Sequence, residues 1–272
     1  MRLFLVRHGE TVDNAANVYA GTRDSALSMH GVVQAQRLAS HLASSRHCSG
    51  DTQIFSSTLQ RAAKTAEAIR DACGAGSVRQ LAQLRERDFG SLEGTKIGAV
   101  AHEYAQDAES AQSMRDRVDD FLDHHLLPLV MLLAAGDVVI VAHGIILGVM
   151  FRQLSARLPA GSTIVSPEAQ PLTSSNPSPR KTIPVLPVWR NTGYLEATLS
   201  PATAAATAAA EAQSKSWSAL QLRIIRVNCV EHLQGLRKTR GGIGSTRFDE
   251  KQKTLDAFYT SKERKAAADA VE

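Results

Sequence analysis

Two apolar runs, LFLV and VVIVA, each lead into a histidine followed by glycine: Arg7-His8-Gly9 closes the first and His143-Gly144 the second. A short run of aliphatic residues that breaks at a glycine turn describes a strand buried on both faces. The chain between them alternates. Residues 28–44 open on Ser28 as a helix cap and place Val32, Val33, Ala35, Leu38, Ala39 and Leu42 at helical spacing, TQIFSS returns to strand, and residues 59–74 form an amphipathic helix that Gly74 stops. A second round follows, with a helical stretch over 113–136 that Pro128 should kink or divide, the strand DVVIVAHG, and a helix opened by IILGVMFRQL. Such alternation predicts an α/β domain with helices on both faces of a largely parallel sheet. Ligands of such sheets bind beyond the carboxyl ends of the strands, where His8 and His143 would both stand.

At 272 residues and 43% hydrophobic content, one main domain with a sizeable core is expected. Residues 126–151 are apolar enough to suggest a membrane span, but Gly136-Asp137 and His143 interrupt them, and LFLV is too short for a secretory leader. Cys48, Cys73 and Cys229 are odd in number, widely spaced and in no ligand pattern. They predict a reducing compartment without a disulfide framework or zinc site, hence an intracellular location, cytoplasmic or nuclear. The formal charge of +4 is concentrated at one end, since residues 236–272 hold nine Lys/Arg against six Asp/Glu. It marks a basic tail more than a nucleic-acid-binding face.

The domain is expected to span 1–235, with disordered inserts at 159–184, rich in proline and serine, and at 200–215, rich in alanine and threonine. VWRNTGYLEATL and LQLRIIRVNCVEHL read as two further strands of the same sheet, and 236–272 as a basic, disordered tail.

The strand ends supply Arg7, His8 and His143; FSSTLQRAAKTA adds Arg61 near a helix start, and LRERDFGSLEG adds Glu86. Two histidines, two arginines and one carboxylate suit a dianionic phosphate, because guanidinium forks match its oxygens and the amides of Gly9 and Gly144 allow close backbone approach. With no cysteine in these motifs the nucleophile would be an imidazole nitrogen. His8 must then be neutral, and Arg7 and Arg61 would push its pKa down. Glu86 is the natural proton donor to the leaving alkoxide.

Together LVRHGETVDN, SSTLQRAAKTA, LRERDFGSLEG and VVIVAHG resemble the four successive motifs of the histidine phosphatase superfamily, also called phosphoglycerate mutase-like, over roughly residues 1–155 and again at NTGYLEATL and VNCVEHL. The resemblance implies a three-layer α/β/α sandwich around a mostly parallel mixed sheet, phospho-His8 as intermediate, Arg7, Arg61 and His143 on the phosphate, Glu86 as acid and base, and neither metal nor organic cofactor. Asn14 matches the polar residue that touches the phosphoryl group, with a role as a turn residue equally open, and a small phosphorylated molecule is the implied substrate. Thr22 and Ala20 depart from the pattern, which often has an aromatic and, in the mutases, a hydroxyl residue there. Only 57 positions separate Glu86 from His143, whereas mutases carry a long basic segment between them. Both departures favour a phosphatase that hydrolyses phosphate monoesters over a mutase. A fructose-bisphosphate phosphatase stays open, with Arg85, Arg87, Lys96, Arg115 or Arg117 as holders of a second phosphate. His30, His41, His47, His102, His124, His125 and His232 show no ligand spacing and read as surface or helix histidines.

In the tail, Gln252, Leu255, Phe258 and Tyr259 fit Q-x-x-L-x-x-F-Y over 252–259. This resembles the peptide by which replication and repair proteins bind the sliding clamp PCNA. One helical turn would bring Leu255, Phe258 and Tyr259 together as an apolar plug beside the polar Gln252. The alternative function is therefore a nuclear interaction protein acting through its tail.

Overall fold

The computed structural model describes residues 1–45, 47–98, 106–132, 136–167, 169, 186–202, 216–238 and 243–249. The strands are β1 (Arg2–Arg7), β2 (Gln53–Ser57), β3 (Val78–Leu81), β4 (Val138–Ala142), β5 (Thr163–Val165), β6 (Tyr194–Pro201) and β7 (Leu220–Cys229), and they form one sheet in the order β3-β2-β4-β1-β6-β7-β5. The half holding β1 to β4 is parallel; β6 runs antiparallel to β1 and to β7, and β5 is parallel to β7. The helices are α1 (Val12–Ala16), α2 (Met29–Ser44), α3 (Gln60–Cys73), α4 (Ala111–Phe121), α5 (Leu127–Met131) and α6 (Gly144–Arg157).

Strand alternation builds two cores. Leu3 and Leu5 of β1 with Val138 and Ile140 of β4 face α4 and α6, while Phe4, Val6, Val139 and Val141 face Leu38 and Leu42 of α2 and Ala62, Ala66 and Ile69 of α3. Helices on both faces of a mixed sheet give the expected α/β layers, and β4 and the four inner residues of β1 are buried between them.

Pro128 divides the long helical stretch as its missing N–H predicts. After α4 the backbone widens into a π turn over Leu122–Leu126, in which Leu127 N–H reaches back to the Leu122 carbonyl, and Pro128 then occupies the first turn of α5. The 126–151 stretch resolves into the end of that turn, α5, β4 and α6, and no helix among the described residues is long and apolar enough to cross a membrane.

Several expectations need correction. Cys48 and Cys73 form a disulfide with Cα atoms 5.6 Å apart, because α2 and α3 pack side by side and the chain leaving α2 meets the last residue of α3. The case for a reducing compartment from cysteine spacing falls with it; Cys229 is free and buried. Thr163–Val165, assigned to a disordered loop, is an edge strand held by β7, while 168 and 170–184 lie outside the described residues, as do 203–215 of the second insert. The strand expected from Val188 begins only at Tyr194, since residues 188–193 turn across the end of β1, where Thr192 N–H donates to the His8 carbonyl. The tail is not disordered from 236 onward. Lys238 pairs with Glu10 at 2.9 Å, Met29 N–H donates to the Thr246 carbonyl, and Phe248 N–H donates to that of Leu27. The 252–259 motif lies outside the described residues.

Candidate functional site

Parallel register brings the two histidines together. Arg7 pairs with Ala142, so the next residue of each strand is His8 and His143, and His8 N–H donates to the Ala142 carbonyl at 3.0 Å. Strand spacing then fixes the imidazoles, whose ring centres lie 5.0 Å apart in full burial.

Hydrogen bonds assign each ring a tautomer. His8 Nδ1 lies 2.7 Å from the Gly9 carbonyl, an acceptor only, so Nδ1 carries the proton and Nε2 keeps its lone pair. His143 Nδ1 accepts from Arg61 Nε at 3.1 Å, which leaves the proton on Nε2. That Nε2–H and Arg7 Nε–H are buried donors without a partner among the described residues. Unmet buried donors cost about 1–3 kcal/mol each, so the pair suits an anion placed between them. Arg7 is anchored by Nη1 to the Trp189 carbonyl at 2.5 Å, and its free Nε lies over Gly144, where a Cβ would stand only 3.9 Å away. Arg61, 1% exposed, donates from Nη1 and Nη2 to the carbonyls of Arg23 and Gly21, both at 2.6 Å. Two of its five N–H groups remain for a ligand.

Electrostatics keeps both imidazoles neutral. Burial first, then Arg61 and Arg7, hold His8 well below the ordinary histidine value, and burial with Arg61, His8 and Arg7 does the same to His143. Burial also lowers Arg61 to about 10, still cationic at neutral pH.

Glu86 arrives from another direction. The cap residue of α6 is His143, whose side chain makes no capping bond, and the Glu86 carboxylate takes that place by accepting from Ile145 N–H and Ile146 N–H, each at 3.1 Å. It is thereby fixed beside Gly144 and His143, in the same cavity of about 720 Å³ as Arg7, His8, Asn14 and Arg61.

The structure thus brings Arg7, His8, Asn14, Arg61, Glu86, His143 and Gly144 to one place at the sheet's carboxyl edge. Asn14 also serves as a turn residue: it closes a reciprocal cap with Thr11 at the start of α1, and its Oδ1 accepts from Asn191. Gly9 differs from the expectation. Its amide donates to Thr65 Oγ1 at 3.1 Å and is taken, and the glycine is required by packing, because a Cβ would meet the Gly31 carbonyl at 2.6 Å. The candidate second-phosphate residues are drawn elsewhere. Arg117 is tied to Glu109 at 2.7 Å, Arg87 to the Glu109 carbonyl, Arg85 to that of Thr22 and Lys96 to that of Ala16, Arg115 bonds Gln112, and none of the five lines this cavity. His232, read as a surface or helix residue, lies in a short helical turn over Glu231–Leu233 but is buried, bonded to Thr192 Oγ1 at 2.9 Å and lowered to about 4 by burial, with His41, Arg190 and Arg37 adding to it.

Sequence reasoning missed Thr65, Trp189, Asn191 and Arg152. Thr65 donates to the Arg61 carbonyl one turn back while accepting from Gly9, so α3 positions both Arg61 and the His8 turn. Asn191 links the His8 carbonyl to Asn14. The polar Asn-Thr-Gly triplet before β6 was the available signal for that turn. Arg152 had none beyond its place on α6.

Comparison with known proteins agrees with this geometry. Residues 3–163 match the model of the histidine phosphatase superfamily, branch 1. A probable phosphatase of Schizosaccharomyces pombe is 29% identical over 265 residues, 93% of this chain and 78% of that protein. The probable phosphoglycerate mutase GpmB of Klebsiella pneumoniae is 34% identical over 164 residues, 54% of this chain and 72% of that protein. Among solved structures, mycobacterial glucosyl-3-phosphoglycerate phosphatase superposes with a TM-score of 0.58 at 20% identity, over 84% of this chain and 98% of its own. The alpha-ribazole phosphatase of Shigella flexneri gives 0.55 at 21%, over 85% and 97%. At such identities the two structures establish the fold.

Proposed function

Because the chain belongs to branch 1 of the histidine phosphatase superfamily, we propose that it hydrolyses phosphate monoesters through a phosphohistidine at His8. The carrying observation is the 2.7 Å contact of His8 Nδ1 with the Gly9 carbonyl, which leaves Nε2 bare in a ring centred 5.0 Å from that of His143, whose Nε2 is buried and unpartnered among the described residues. His8 Nε2 attacks phosphorus, the bond to the ester oxygen breaks, and the proton held by Glu86 goes to that oxygen so that it leaves as an alcohol. Water then attacks phospho-His8, gives its proton to Glu86 and releases inorganic phosphate. Arg7 Nε, His143 Nε2 and the free N–H groups of Arg61 receive the phosphoryl oxygens, and two fixed guanidiniums supply charge stabilisation without a metal.

The phosphatase-named relative that spans 93% of this chain favours hydrolysis over phosphate transfer between two sugar positions, as does the diversion of Arg85, Arg87, Lys96, Arg115 and Arg117 from the cavity. The test is turnover of phenyl phosphate and 3-phosphoglycerate in EDTA by the wild type and His8→Ala, with acid-labile, base-stable label from ³²P-substrate sought on the protein. Phosphate release and label that both vanish in His8→Ala are expected; equal turnover by the variant, or turnover abolished by EDTA, would sink the proposal.

A further inference from the structure

The cavity over His8 follows one face of α6. Gly144, Gly148 and Arg152 succeed one another at four-residue spacing on that face. Two helical turns therefore separate the first from the last, about 12 Å along the axis. Gly144 lies under Arg7 Nε, and a Cβ on Gly148 would stand 3.6 Å from Arg152 Nη1. The two glycines leave a floor without side chains between the phosphoryl end and Arg152.

The walls above that floor are apolar. Tyr19 and Phe89 pack ring to ring at 4.9 Å, Phe151 comes from α6, and Leu186, Val188 and Trp189 come from the chain approaching β6. Five large hydrophobic side chains are exposed among the described residues, and three of them, Ile97, Ile145 and Val188, stand at this cavity. Single exposed apolar residues are ordinary; their gathering at one mouth marks a surface that a ligand covers. A leaving group rich in hydroxyls would lose more water here than the few polar side chains of the lining replace. Once the phosphoryl groups are set aside, Arg152 is the remaining charged residue of the lining, exposed, and no described residue holds it in a hydrogen bond or ion pair.

On the strength of the phosphatase reading above, we infer that the site takes a phosphate monoester whose alcohol part is an apolar or aromatic body ending in a second negative group, received by Arg152 two helical turns from the phosphoryl group. Phe151 and Trp189 grip the body, the α6 glycines give it room, and Arg152 sets its length.

The test compares kcat/KM for 4'-carboxybiphenyl-4-yl phosphate, the uncharged biphenyl-4-yl phosphate, glucose 6-phosphate and glycerol 3-phosphate, using wild type, Arg152→Gln and Val188→Ser. The wild type should prefer both biphenyl esters to the sugar and glycerol esters, and prefer the carboxylated to the uncharged ester by roughly twofold to fivefold, the range for a charged contact open to solvent. Arg152→Gln should bring that ratio to one, and Val188→Ser should narrow the gap between biphenyl and sugar esters. A wild-type preference for glucose 6-phosphate overturns the apolar body, and a carboxylate ratio unchanged in Arg152→Gln overturns the role of Arg152. Calorimetry with the matching non-hydrolysable phosphonates decides the same comparisons by affinity. Silence of every ester with ordered phosphonate affinities would therefore sink the phosphatase reading and leave the ligand class standing, and flat affinities would sink the ligand class.

Discussion

Arg61 Nε donates to His143 Nδ1 at 3.1 Å, so a residue of α3 fixes which nitrogen of a strand-end histidine carries its proton. The same guanidinium is clamped by the carbonyls of Gly21 and Arg23. Lysine keeps the charge and loses the fork. Arg61→Lys is expected to lower kcat/KM on phenyl phosphate about a hundredfold or more, the scale for losing a preorganised donor. The urea midpoint should fall as well, since carbonyls and His143 lose buried partners. A variant within threefold of wild type would mean that Arg61 only supplies charge.

The buried histidines set a pH dependence. His8 and His143 are both held well below 6.5 in the folded chain. Above pH 6.5 both folded and unfolded chains carry them neutral. As pH falls through that value the unfolded chain takes up protons that the folded chain refuses, so acid destabilises the fold, and the loss grows until the folded values are reached. Imidazole ¹⁵N spectra at pH 6 should show both rings neutral, with His8 protonated at Nδ1 and His143 at Nε2. A protonated His8 at pH 6 would contradict the geometry and the nucleophile together.

The disulfide closes a loop between residues 25 positions apart in sequence, joining the chain that leaves α2 to the last residue of α3. Native crosslinks of this size contribute about 2–4 kcal/mol, chiefly through the unfolded state. Oxidised protein should therefore lose stability of that order in Cys48→Ala/Cys73→Ala or on full reduction, read by urea unfolding with and without dithiothreitol. Identical midpoints in all three conditions would show that the bond adds nothing.

The turn after His8 is packed backbone to backbone against α2. A Cβ on Gly31 would meet the Glu10 carbonyl oxygen at 1.9 Å, a contact no rotamer relieves. Gly31→Ala is predicted to cost about 1–3 kcal/mol in urea unfolding and to reduce activity by shifting the His8 turn. Gly76→Ala, where a Cβ meets nothing within 4 Å, is the control.

How much of this was legible in the chain depends on whether the cause was local. Hydrophobic runs and their glycine stops located β1, β4, α2, α3 and α6, and the histidines at equivalent strand ends needed only parallel register to meet. Arg61 was visible because it stands one residue into a helix that follows a strand. Contacts between distant segments left no comparable mark. The Cys48–Cys73 bond depends on how two helices pack, β5 is three residues paired with β7 alone among the described strands, and Thr65 matters through one hydrogen bond to a turn 56 residues earlier. Arg85, Arg87 and Arg117 looked available in sequence for the opposite reason, since the carbonyls and Glu109 that occupy them come from elsewhere in the fold.

Glu86 joins two jobs, and they separate on substitution. Its carboxylate accepts from Ile145 N–H, Ile146 N–H and Arg87 N–H, and the proposed reaction asks it to pass a proton to the leaving oxygen. Gln in its place keeps one acceptor oxygen, so the helix cap is weakened by about 1 kcal/mol and the fold survives. Proton delivery is lost outright. An alcohol or phenol that leaves poorly needs that proton in the transition state, whereas p-nitrophenolate leaves well as an anion. Glu86→Gln should therefore slow phenyl phosphate by at least about a hundredfold, the lower end for general acid catalysis, while p-nitrophenyl phosphate loses far less. Equal losses on both esters would assign Glu86 to capping and positioning, because a misplaced helix end harms every substrate alike and does not register the leaving group.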